Sequence, residues 1–453
     1  MQSLSFVSRS RRWARTGLGA LLLFSAARAG EPVAAPATDA PAAQTALARR
    51  ILADPGLDQA LAMARDLLRT GFNAGSGYRE VWIRDFATFI EISCQVYDRA
   101  RVRENLLMFF RLQGDDGNIV DGFIPREQAN ASYRYLKKAT VPDYWGHKNT
   151  VETDQETSLV QAVATYVRVT GDRAFLAVVV DGQPVRARLE RAMEFLLAHR
   201  WNAKYGLLWG ATTVDWGDVQ PEHPWGVELN AHSHLCLDIY DNAMWVIALR
   251  DLAELLADQP ERARRWNTLR RQVAANIRRH LWDAGRQKFI PHVYLADSPF
   301  PADFDENAIT YHGGTAVAMQ AGLLSPDEIR AALRQMRRDV RATGAASIGL
   351  TVYPPYPAGF FQNPSMRPYG YQNGGDWTWF GGRLVQALVA EGFPADAYAE
   401  LQPMVRRVLK NKGFHEWYDI YNQPRGSGTY RGSAGVLGKA ILMLRDWARK
   451  HAG

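Results

Sequence analysis

Two short segments of the chain place carboxylates among large aromatic side chains. Residues 215–218 have the sequence Asp-Trp-Gly-Asp, and residues 416–419 have the sequence Glu-Trp-Tyr-Asp. A carboxyl group held beside tryptophan is partly desolvated and keeps a proton that it can donate, so Asp215 or Asp218 is a candidate acid. Glu416 is a candidate base that activates water. Each carboxylate taken alone could equally cap a turn or lie on the surface, so the hypothesis requires the two segments to meet.

Carboxylates and aromatic rings together are the side chains that carbohydrate chemistry requires. Aromatic faces stack on the apolar faces of sugar rings, and cleavage of a glycosidic bond needs an acid and a base on opposite sides of it. The sequence has no Ser-His-Asp spacing, no glycine-rich phosphate loop after a strand and no dinucleotide fingerprint. We therefore predict a site for a sugar.

An acidic segment, residues 153–157, lies directly before a predicted helix. Asp154 and Glu156 suit the positive end of the helix dipole, and capping alone accounts for one of them. A contact between either residue and sugar remains the alternative.

The histidines and cysteines do not form a recognisable metal motif. His232 and His234 would diverge on a helix, and no third and fourth ligands follow at a familiar spacing. Cys94 and Cys236 lie in apolar segments and are expected to be buried structural thiols, with a single disulfide as the alternative. We predict neither a metal nor a cofactor.

Apolar periodicity predicts a nearly all-helical chain. Repeats of about 3.6 residues indicate about twelve helices, without a comparable set of alternating strand patterns. The predicted helices cover residues 57–70, 86–98, 101–112, 155–170, 184–199, 240–257, 260–282, 312–322, 326–341, 376–391, 396–410 and 433–449.

The predicted helices are of two kinds that alternate along the chain. The seventh, residues 260–282, and the ninth, residues 326–341, each carry one apolar stripe, which is typical of a helix with one buried face. The sixth, residues 240–257, and the twelfth, residues 433–449, begin apolar on all sides and should be enclosed. The alternation predicts an (α/α)6 toroid of six helical hairpins, with an inner ring inside an outer one.

Six polar, aromatic-rich segments each precede an even-numbered predicted helix. They cover residues 78–85, 153–157, 214–218, 305–314, 371–379 and 415–419. If the even-numbered helices form the inner ring, all six segments open on the same end of it. This arrangement predicts a ligand pocket at the N-termini of the inner helices.

Residues 1–29 are predicted to be a cleaved signal peptide. Four arginines precede an apolar run that begins at Gly17, and residues 27–29 (Ala-Arg-Ala) resemble a cleavage site. The run is too short for a permanent membrane span, so we expect no stable membrane insertion. The protein is predicted to be periplasmic or secreted, and residues 10–13 (Ser-Arg-Arg-Trp) loosely match a twin-arginine signal.

The remaining chain is predicted to be a flexible leader, residues 30–54, and a single catalytic domain, residues 55–453. The leader prediction depends on a composition rich in alanine and proline. Removal of residues 1–29 removes five arginines and lowers the formal net charge from +7 to +2. A nucleic-acid partner is therefore not expected, and the sequence does not indicate an oligomeric state.

From about residue 55 to residue 450, the chain resembles the six-hairpin glycosidases. This group of (α/α)6 barrels includes glycoside hydrolase family sixty-three, the amylo-α-1,6-glucosidases and the trehalases. Residues 82–85 (Trp-Ile-Arg-Asp) are similar to a segment whose Arg and Asp bind the terminal sugar. Residues 216–218 resemble the Trp-x-Asp segment of the acid, residues 416–419 resemble the Glu-x-x-Asp loop of the base, and residues 371–379 resemble the Tyr-x-Asn-Gly helix start of the debranching group.

The resemblance implies an inverting enzyme with an aspartic acid and a glutamate base. It favours Asp218 over Asp215 as the acid and makes Glu416 the base, with the two carboxyl groups roughly 6.5–9.5 Å apart. The residues implied to bind the substrate are Trp82, Arg84, Asp85, Asp154, Trp216, Asp376, Trp377, Trp417 and Tyr418.

We therefore predict an exported inverting glycoside hydrolase that acts on a terminal sugar. The chain has no room for the β-sandwich that many relatives carry, which favours an α-glucoside or related short glycoside over a branched polymer. A glycoside phosphorylase, which needs a cationic phosphate site, and a non-catalytic glycan-binding protein are the alternatives.

Overall fold

The computed structural model describes residues 41–130, 134–224 and 227–453. The predicted signal peptide, residues 1–29, and the first part of the predicted leader, residues 30–40, lie outside these ranges. In the described part of the chain, helices form the body of the molecule, and short strands lie in the loops that join them.

Thirteen α-helices run through the described residues. They are α1 (Pro41–Leu52), α2 (Pro55–Leu68), α3 (Ile83–Val96), α4 (Arg99–Leu112), α5 (Asp154–Thr170), α6 (Val185–His199), α7 (Ile239–Leu255), α8 (Pro260–His280), α9 (His312–Gln320), α10 (Pro326–Thr343), α11 (Thr378–Ala390), α12 (Pro394–Asn411) and α13 (Arg431–His451). Each helix from α2 to α13 overlaps one of the twelve predicted helices. None of the helices described is both long and apolar enough to cross a lipid bilayer.

The helices form two concentric rings. Helices α3, α5, α7, α9, α11 and α13 pack side by side in that order, and α13 closes the ring against α3. Helices α2, α4, α6, α8, α10 and α12 pack around them from outside. This closed arrangement confirms the predicted (α/α)6 toroid.

The distribution of apolar residues explains which helices lie inside. Inner helix α7 buries fifteen of its seventeen residues, among them Trp245. Outer helix α10 begins with a capping box between Ser325 and Glu328 and buries only one stripe, which includes Leu333 and Met336. A helix that is apolar all round must be covered on every side, whereas a striped helix can leave one face in water.

Helix α1 corrects the prediction that residues 30–54 are a flexible leader. From Pro41 to Leu52 the chain is helical, buries Ala48 and Ile51, and packs against α13. Arg445 of α13 donates a hydrogen bond of 2.5 Å to the carbonyl of Leu52. Alanine has a high helix propensity, so an alanine-rich segment forms a helix where apolar side chains find a surface to cover.

The strands form small antiparallel sheets. They are β1 (Val81–Trp82), β2 (Gly122–Pro125), β3 (Tyr135–Leu136), β4 (Tyr144–His147), β5 (Val179–Val180), β6 (Gln183–Pro184), β7 (Trp201–Asn202), β8 (Leu207–Leu208), β9 (Gly210–Ala211), β10 (Leu235–Leu237), β11 (Trp282–Asp283), β12 (Lys288–Phe289), β13 (Val293–Tyr294), β14 (Thr310–Tyr311), β15 (Val352–Tyr353), β16 (Trp417–Tyr418) and β17 (Pro424–Arg425). The largest sheet has the order β1-β2-β4-β3. Strand β1 runs directly into α3, so this sheet stands at the N-terminal end of the inner ring.

The two cysteines do not form a disulfide. Cys236 is buried and Cys94 is half-buried, and both are free thiols. Burial raises the pKa of Cys94 to about 12, so this thiol stays protonated at neutral pH. The interpretation of both residues as structural thiols is consistent with these surroundings.

Candidate active site

A cavity of about 880 Å³ opens where the inner helices begin. Four of the six predicted polar segments line it, whereas residues 153–157 and 305–314 do not. Seven of the twelve predicted site residues contribute to its wall: Trp82, Arg84, Asp85, Trp216, Asp218, Trp377 and Glu416. Its volume suits a short glycoside better than a macromolecule.

Glu416 is held in the cavity wall by two hydrogen bonds. The Tyr78 hydroxyl donates to Oε1 at 2.8 Å, and the Ser427 amide donates to Oε2 at 2.8 Å. The side chain is 4% exposed. Gly426 packs directly against this carboxylate, at a position where a Cβ atom would overlap Oε2. The carboxylate is therefore fixed in one orientation toward the cavity.

Burial raises the pKa of Glu416 from 4.5 to about 7, and the charges of Asp85 and Asp218 also raise it. The hydrogen bonds from Ser427 and Tyr78 act in the opposite direction and lower it. A carboxylate with a pKa near neutrality is a stronger proton acceptor than an ordinary glutamate, as a general base requires.

We expect kcat/KM to fall on the acidic side with an apparent pKa near 7. Glu416 must be ionised to accept a proton, and its raised pKa means that it becomes protonated below about pH 7. The pH dependence of kcat/KM on a short glycoside measures this acidic limb of the profile. Tyr78→Phe removes a hydrogen bond that lowers the pKa of Glu416, so the limb should move to higher pH. A limb in the range of an ordinary glutamate would contradict the assignment.

Asp218 lies half-buried on another part of the same cavity wall. The Gln372 side-chain amide donates to its Oδ1 at 2.8 Å. Trp216 precedes it by two residues and packs edge-on against Trp377 at a centroid distance of 4.6 Å. This aromatic support fixes the backbone that presents Asp218, and among the described residues Gln372 is the hydrogen-bond partner of this carboxylate.

Arg84 and Asp85, at the start of α3, form a third polar part of the wall. Arg84 bonds to both oxygens of Asp154, at 2.6 Å and 3.3 Å, and it also pairs with Glu152. Burial raises the pKa of Asp85 to about 6, and a hydrogen bond with Tyr430 acts in the opposite direction. One oxygen of Asp85 has no hydrogen-bond partner although it is buried. This oxygen therefore has hydrogen-bonding capacity that the described residues leave unused.

Aromatic rings complete the cavity. Trp82, Trp216, Trp377 and Tyr371 all contribute to its surface. The indole nitrogens of Trp82 and Trp216 are buried without a hydrogen-bond partner. The cavity wall is therefore rich in aromatic side chains, which suit the apolar faces of sugar rings.

Asp154 supports the site from behind and does not line the cavity. It is fully buried and accepts from Tyr240 at 2.9 Å as well as from Arg84. Glu156 lies away from the cavity too and accepts from the Ile119 amide at 2.8 Å. The prediction that Asp154 contacts sugar is corrected: this carboxylate orients Arg84.

Asp376, Tyr418 and Trp417 also lie outside the cavity wall. Asp376 forms a buried ion pair with Arg407 at 2.8 Å, and that guanidinium lies 4.0 Å from the centre of the Tyr418 ring. The backbones of Asp376 and Tyr418 exchange two hydrogen bonds, at 2.8 Å and 2.9 Å. Trp417 packs on Tyr371 at a centroid distance of 6.2 Å. These residues join the loop of Glu416 to the loop before α11, so their predicted contact with substrate is corrected to a positioning role.

Asp215, the alternative acid, is turned away from the cavity. It is 3% exposed, and both carboxylate oxygens accept from the Gly314 amide, at 2.9 Å and 2.8 Å. Burial raises the pKa of Asp215 from 3.8 to about 8, while the amides of Gly314 and Gly313 lower it. A raised pKa is what an acid needs, but this carboxyl is buried and does not line the cavity. The structure favours Asp218.

We expect Asp215→Asn to change kcat by less than about threefold, while Asp218→Asn removes most activity. Because its pKa is raised on folding, Asp215 contributes stability that is lost as pH rises from 3.8 through about 8. Asp215→Asn should therefore unfold at a higher temperature than the wild type above about pH 8. Parallel kinetics and thermal unfolding of both variants check this. A loss of kcat in Asp215→Asn equal to that in Asp218→Asn would identify Asp215 as the acid instead.

Several residues of the cavity were not among the predicted site residues. Tyr78 and Gln372 lie in predicted polar segments, but their role as partners of the two carboxylates depends on the fold. No sequence pattern indicated Asp121, which lines the cavity. Strands β1 and β2 pair, and the Asp121 carbonyl accepts a hydrogen bond from the Ile83 amide at 2.8 Å. Burial raises the pKa of Asp121 to about 7. The pairing of two such short strands cannot be predicted from the apolar periodicity of the sequence.

The two histidines of residues 232–234 lie in different surroundings. His234 lies 2.5 Å from Glu222, and His232 is exposed. Across the residues that the structure describes, no group of three or more His, Cys, Asp or Glu side chains is arranged to hold a metal ion.

Residues 78–431 match the family model of the mannosylglycerate hydrolase MGH1-like glycoside hydrolase domain. The match spans more than half of the chain and includes Tyr78, Asp218 and Glu416. The chain belongs to this glycoside hydrolase family. The resemblance to the six-hairpin glycosidases is thereby confirmed, and the protein is an enzyme that hydrolyses glycosides.

Solved structures share the fold of this glycoside hydrolase at low sequence identity. An uncharacterized conserved protein from Thermus thermophilus gives a TM-score of 0.59 at 17% identity, over 84% of this chain and 99% of that one. The GH63 mannosylglycerate hydrolase of the same organism, in complex with glucose, gives a TM-score of 0.57 at 16% identity, over 85% of this chain and 99% of that one. A rhamnosidase from Klebsiella oxytoca with rhamnose bound gives a TM-score of 0.54 at 14% identity, over 86% of this chain and 64% of that one. No curated protein sequence matches significantly.

Proposed function

We propose that this glycoside hydrolase is an inverting, exo-acting enzyme that releases the terminal sugar of a short α-glucoside. The observation that carries the proposal is that Asp218 and Glu416 line one cavity, each held by its own hydrogen-bond partner. Two carboxylates in separate surroundings can take the roles of acid and base.

Asp218 is the acid and Glu416 is the base in this mechanism. The proton of Asp218 goes to the glycosidic oxygen as the bond from that oxygen to the anomeric carbon breaks. A water molecule attacks the anomeric carbon from the opposite face and gives its proton to Glu416. After one turnover Asp218 is ionised and Glu416 is protonated, and exchange with solvent restores both.

Arg84 and Asp85 hold the terminal sugar in this proposal. The guanidinium is kept in place by Asp154, and Asp85 lines the same cavity. Because these groups lie in the wall of a compact cavity, they fit the end of a glycan better than a site within a long chain. The Thermus thermophilus neighbour was solved in complex with glucose, which supports glucose as the terminal sugar.

The test is the anomer that the enzyme releases. Purified protein is incubated with a panel of disaccharides and glycosyl glycerols, and proton NMR follows the first product. An α-glucoside should yield β-glucose first, at a rate independent of added phosphate. Initial release of the α-anomer contradicts inversion, and a sugar phosphate as product identifies a phosphorylase.

We also propose that the enzyme is exported to the periplasm or the medium. Residues 1–29, with four arginines before an apolar run and a small-residue site at residues 27–29, support this. The mass of the protein recovered from the producing cells tests the proposal. A mature protein that begins near Gly30 supports it, and an uncleaved chain retained in the cytoplasm contradicts it.

A further inference from the structure

The hydrogen bond to the Asp218 carboxylate comes from a side chain that is distant in sequence. Nε2 of Gln372 donates to Oδ1 at 2.8 Å, across a separation of 154 residues. Gln372 is 1% exposed, and it contributes to the wall of the same cavity. The donor therefore holds one defined oxygen of the acid from a position that solvent hardly reaches.

A hydrogen bond from an amide constrains where a carboxylic acid carries its proton. The N–H group needs an acceptor, and in a protonated carboxyl the better acceptor is the oxygen that carries no hydrogen. Because Gln372 donates to Oδ1, the protonated form of Asp218 carries its hydrogen on Oδ2. Once this proton has been transferred, the same N–H group stabilises the carboxylate that forms, since hydrogen bonds to a charged acceptor are the stronger ones.

The oxygen end of the same amide is placed at a cost. Oε1 of Gln372 is buried and has no hydrogen-bond partner among the described residues. It lies against Gly217, at a position that a Cβ atom on this glycine would overlap. A buried polar atom without a partner costs about 1–3 kcal/mol. This cost indicates that the amide serves its contact with Asp218, and the missing side chain at Gly217 makes that contact possible.

The backbone beside Gln372 is held in an unfavourable conformation. Tyr371 has a φ of +38° although it is not a glycine, which costs about 1–2 kcal/mol. Thr351 Oγ1 donates to the Gln372 carbonyl at 3.0 Å. The Asn373 side chain accepts from the Tyr356 amide at 2.8 Å and donates to the Tyr356 carbonyl at 3.0 Å. Strain that surrounding contacts maintain is typical of functional sites, and these contacts present Gln372 in one orientation.

We propose that Gln372 is the positioning residue of the acid, and that it directs the transferable proton of Asp218 to Oδ2. The inference rests on the proposed function, in which Asp218 protonates the glycosidic oxygen. In that step the O–H bond at Oδ2 breaks as the proton moves to the glycosidic oxygen. The carboxylate left behind keeps the hydrogen bond from Gln372 at Oδ1, and Gln372 itself neither gains nor loses a proton.

Gln372→Met tests this role, because methionine is also unbranched but has no N–H group to donate. On the glycoside of the panel that is hydrolysed fastest, kcat should fall by about 10- to 100-fold, a part of the factor that a general acid contributes. KM should change by less than about threefold, because the lost interaction acts in the transition state. On the glycosyl fluoride of the same sugar, which needs no acid, kcat should stay within about threefold of the wild type.

Gln386→Met is the matched control. Gln386 is a buried glutamine whose amide donates to the Val436 carbonyl at 2.8 Å, and it does not line the active-site cavity. Thermal unfolding of this variant measures what the loss of one such buried donor does to the fold, and its kcat on both substrates should match the wild type. A preferential loss of glycoside hydrolysis in Gln386→Met as well would overturn the proposal.

Asp218→Asn, measured in parallel, separates this inference from the proposed function. If Asp218→Asn retains fluoride hydrolysis but Gln372→Met loses both substrates equally, or only raises KM, then Gln372 binds the substrate and the inference alone fails. Wild-type kinetics in Gln372→Met overturn the inference too. If Asp218→Asn loses fluoride hydrolysis, Asp218 is not the acid, and the proposed function fails together with the inference.

Discussion

Replacing Glu416 with glutamine is expected to lower kcat on a natural glycoside by a factor of about 10² to 10⁴, the usual contribution of a general base. The amide keeps the shape of the side chain and an oxygen that accepts from the Ser427 amide, so the fold and KM should change little. What is lost is the ability to take a proton from water. Steady-state kinetics and a thermal unfolding curve of the variant measure both effects.

A glycosyl fluoride distinguishes the base from the acid. Fluoride leaves without being protonated, so Asp218→Asn should retain most of the hydrolysis of the fluoride and lose that of the glycoside. Glu416→Gln should lose both, because the attacking water still needs a base. Full hydrolysis of a glycoside by Glu416→Gln would refute the proposed base, and loss of fluoride hydrolysis by Asp218→Asn alone would exchange the two roles.

Replacing Gly426 with alanine is expected to reduce kcat/KM by about a hundredfold, although this residue has no chemical role. Gly426 has a φ of +66°, and a Cβ atom there would overlap the Glu416 carboxylate. The carboxylate must move, and a displacement of about 1 Å of a reacting group is enough for this loss. The positive φ adds a destabilisation of about 1 kcal/mol.

Gly428→Ala provides the matched control in the same loop. A Cβ atom at Gly428 meets only His415, at 3.6 Å, and the residue is not among those with positive φ. Its kinetics and thermal stability should stay close to those of the wild type. Equal losses in the two variants would indicate a general disturbance of the loop, and wild-type activity in Gly426→Ala would contradict the close contact with Glu416.

Much of the fold could be predicted because the residues of a single segment determine which faces of its helix are apolar and therefore buried. The stripe of α10 and the all-apolar start of α7 each follow from the periodicity of a single segment. The leader prediction failed at Pro41–Leu52 because an alanine-rich segment is compatible with a linker and with a helix. Only the surface of α13 determines which of these forms.

The site was less predictable than the fold. Asp215 and Asp218 are three residues apart in one segment, and composition does not distinguish them. The left-handed backbone of Asp215, with a φ of +55°, turns its carboxyl toward Gly314, and Asp218 faces the cavity. The same limit explains Asp376, which sequence similarity placed in contact with sugar and which instead neutralises Arg407.

The sequence by itself therefore determined the twelve helices of the toroid, their division into two rings and the pair of segments proposed to carry the acid and the base. Tertiary structure decided which carboxylates reach the cavity and how strongly Glu416 holds its proton. The pKa of Glu416 is raised to about 7 by burial, and its orientation is fixed by Tyr78, 338 residues away along the chain. Periodicity is a property of neighbouring residues, whereas burial and charge interactions depend on which distant segments meet.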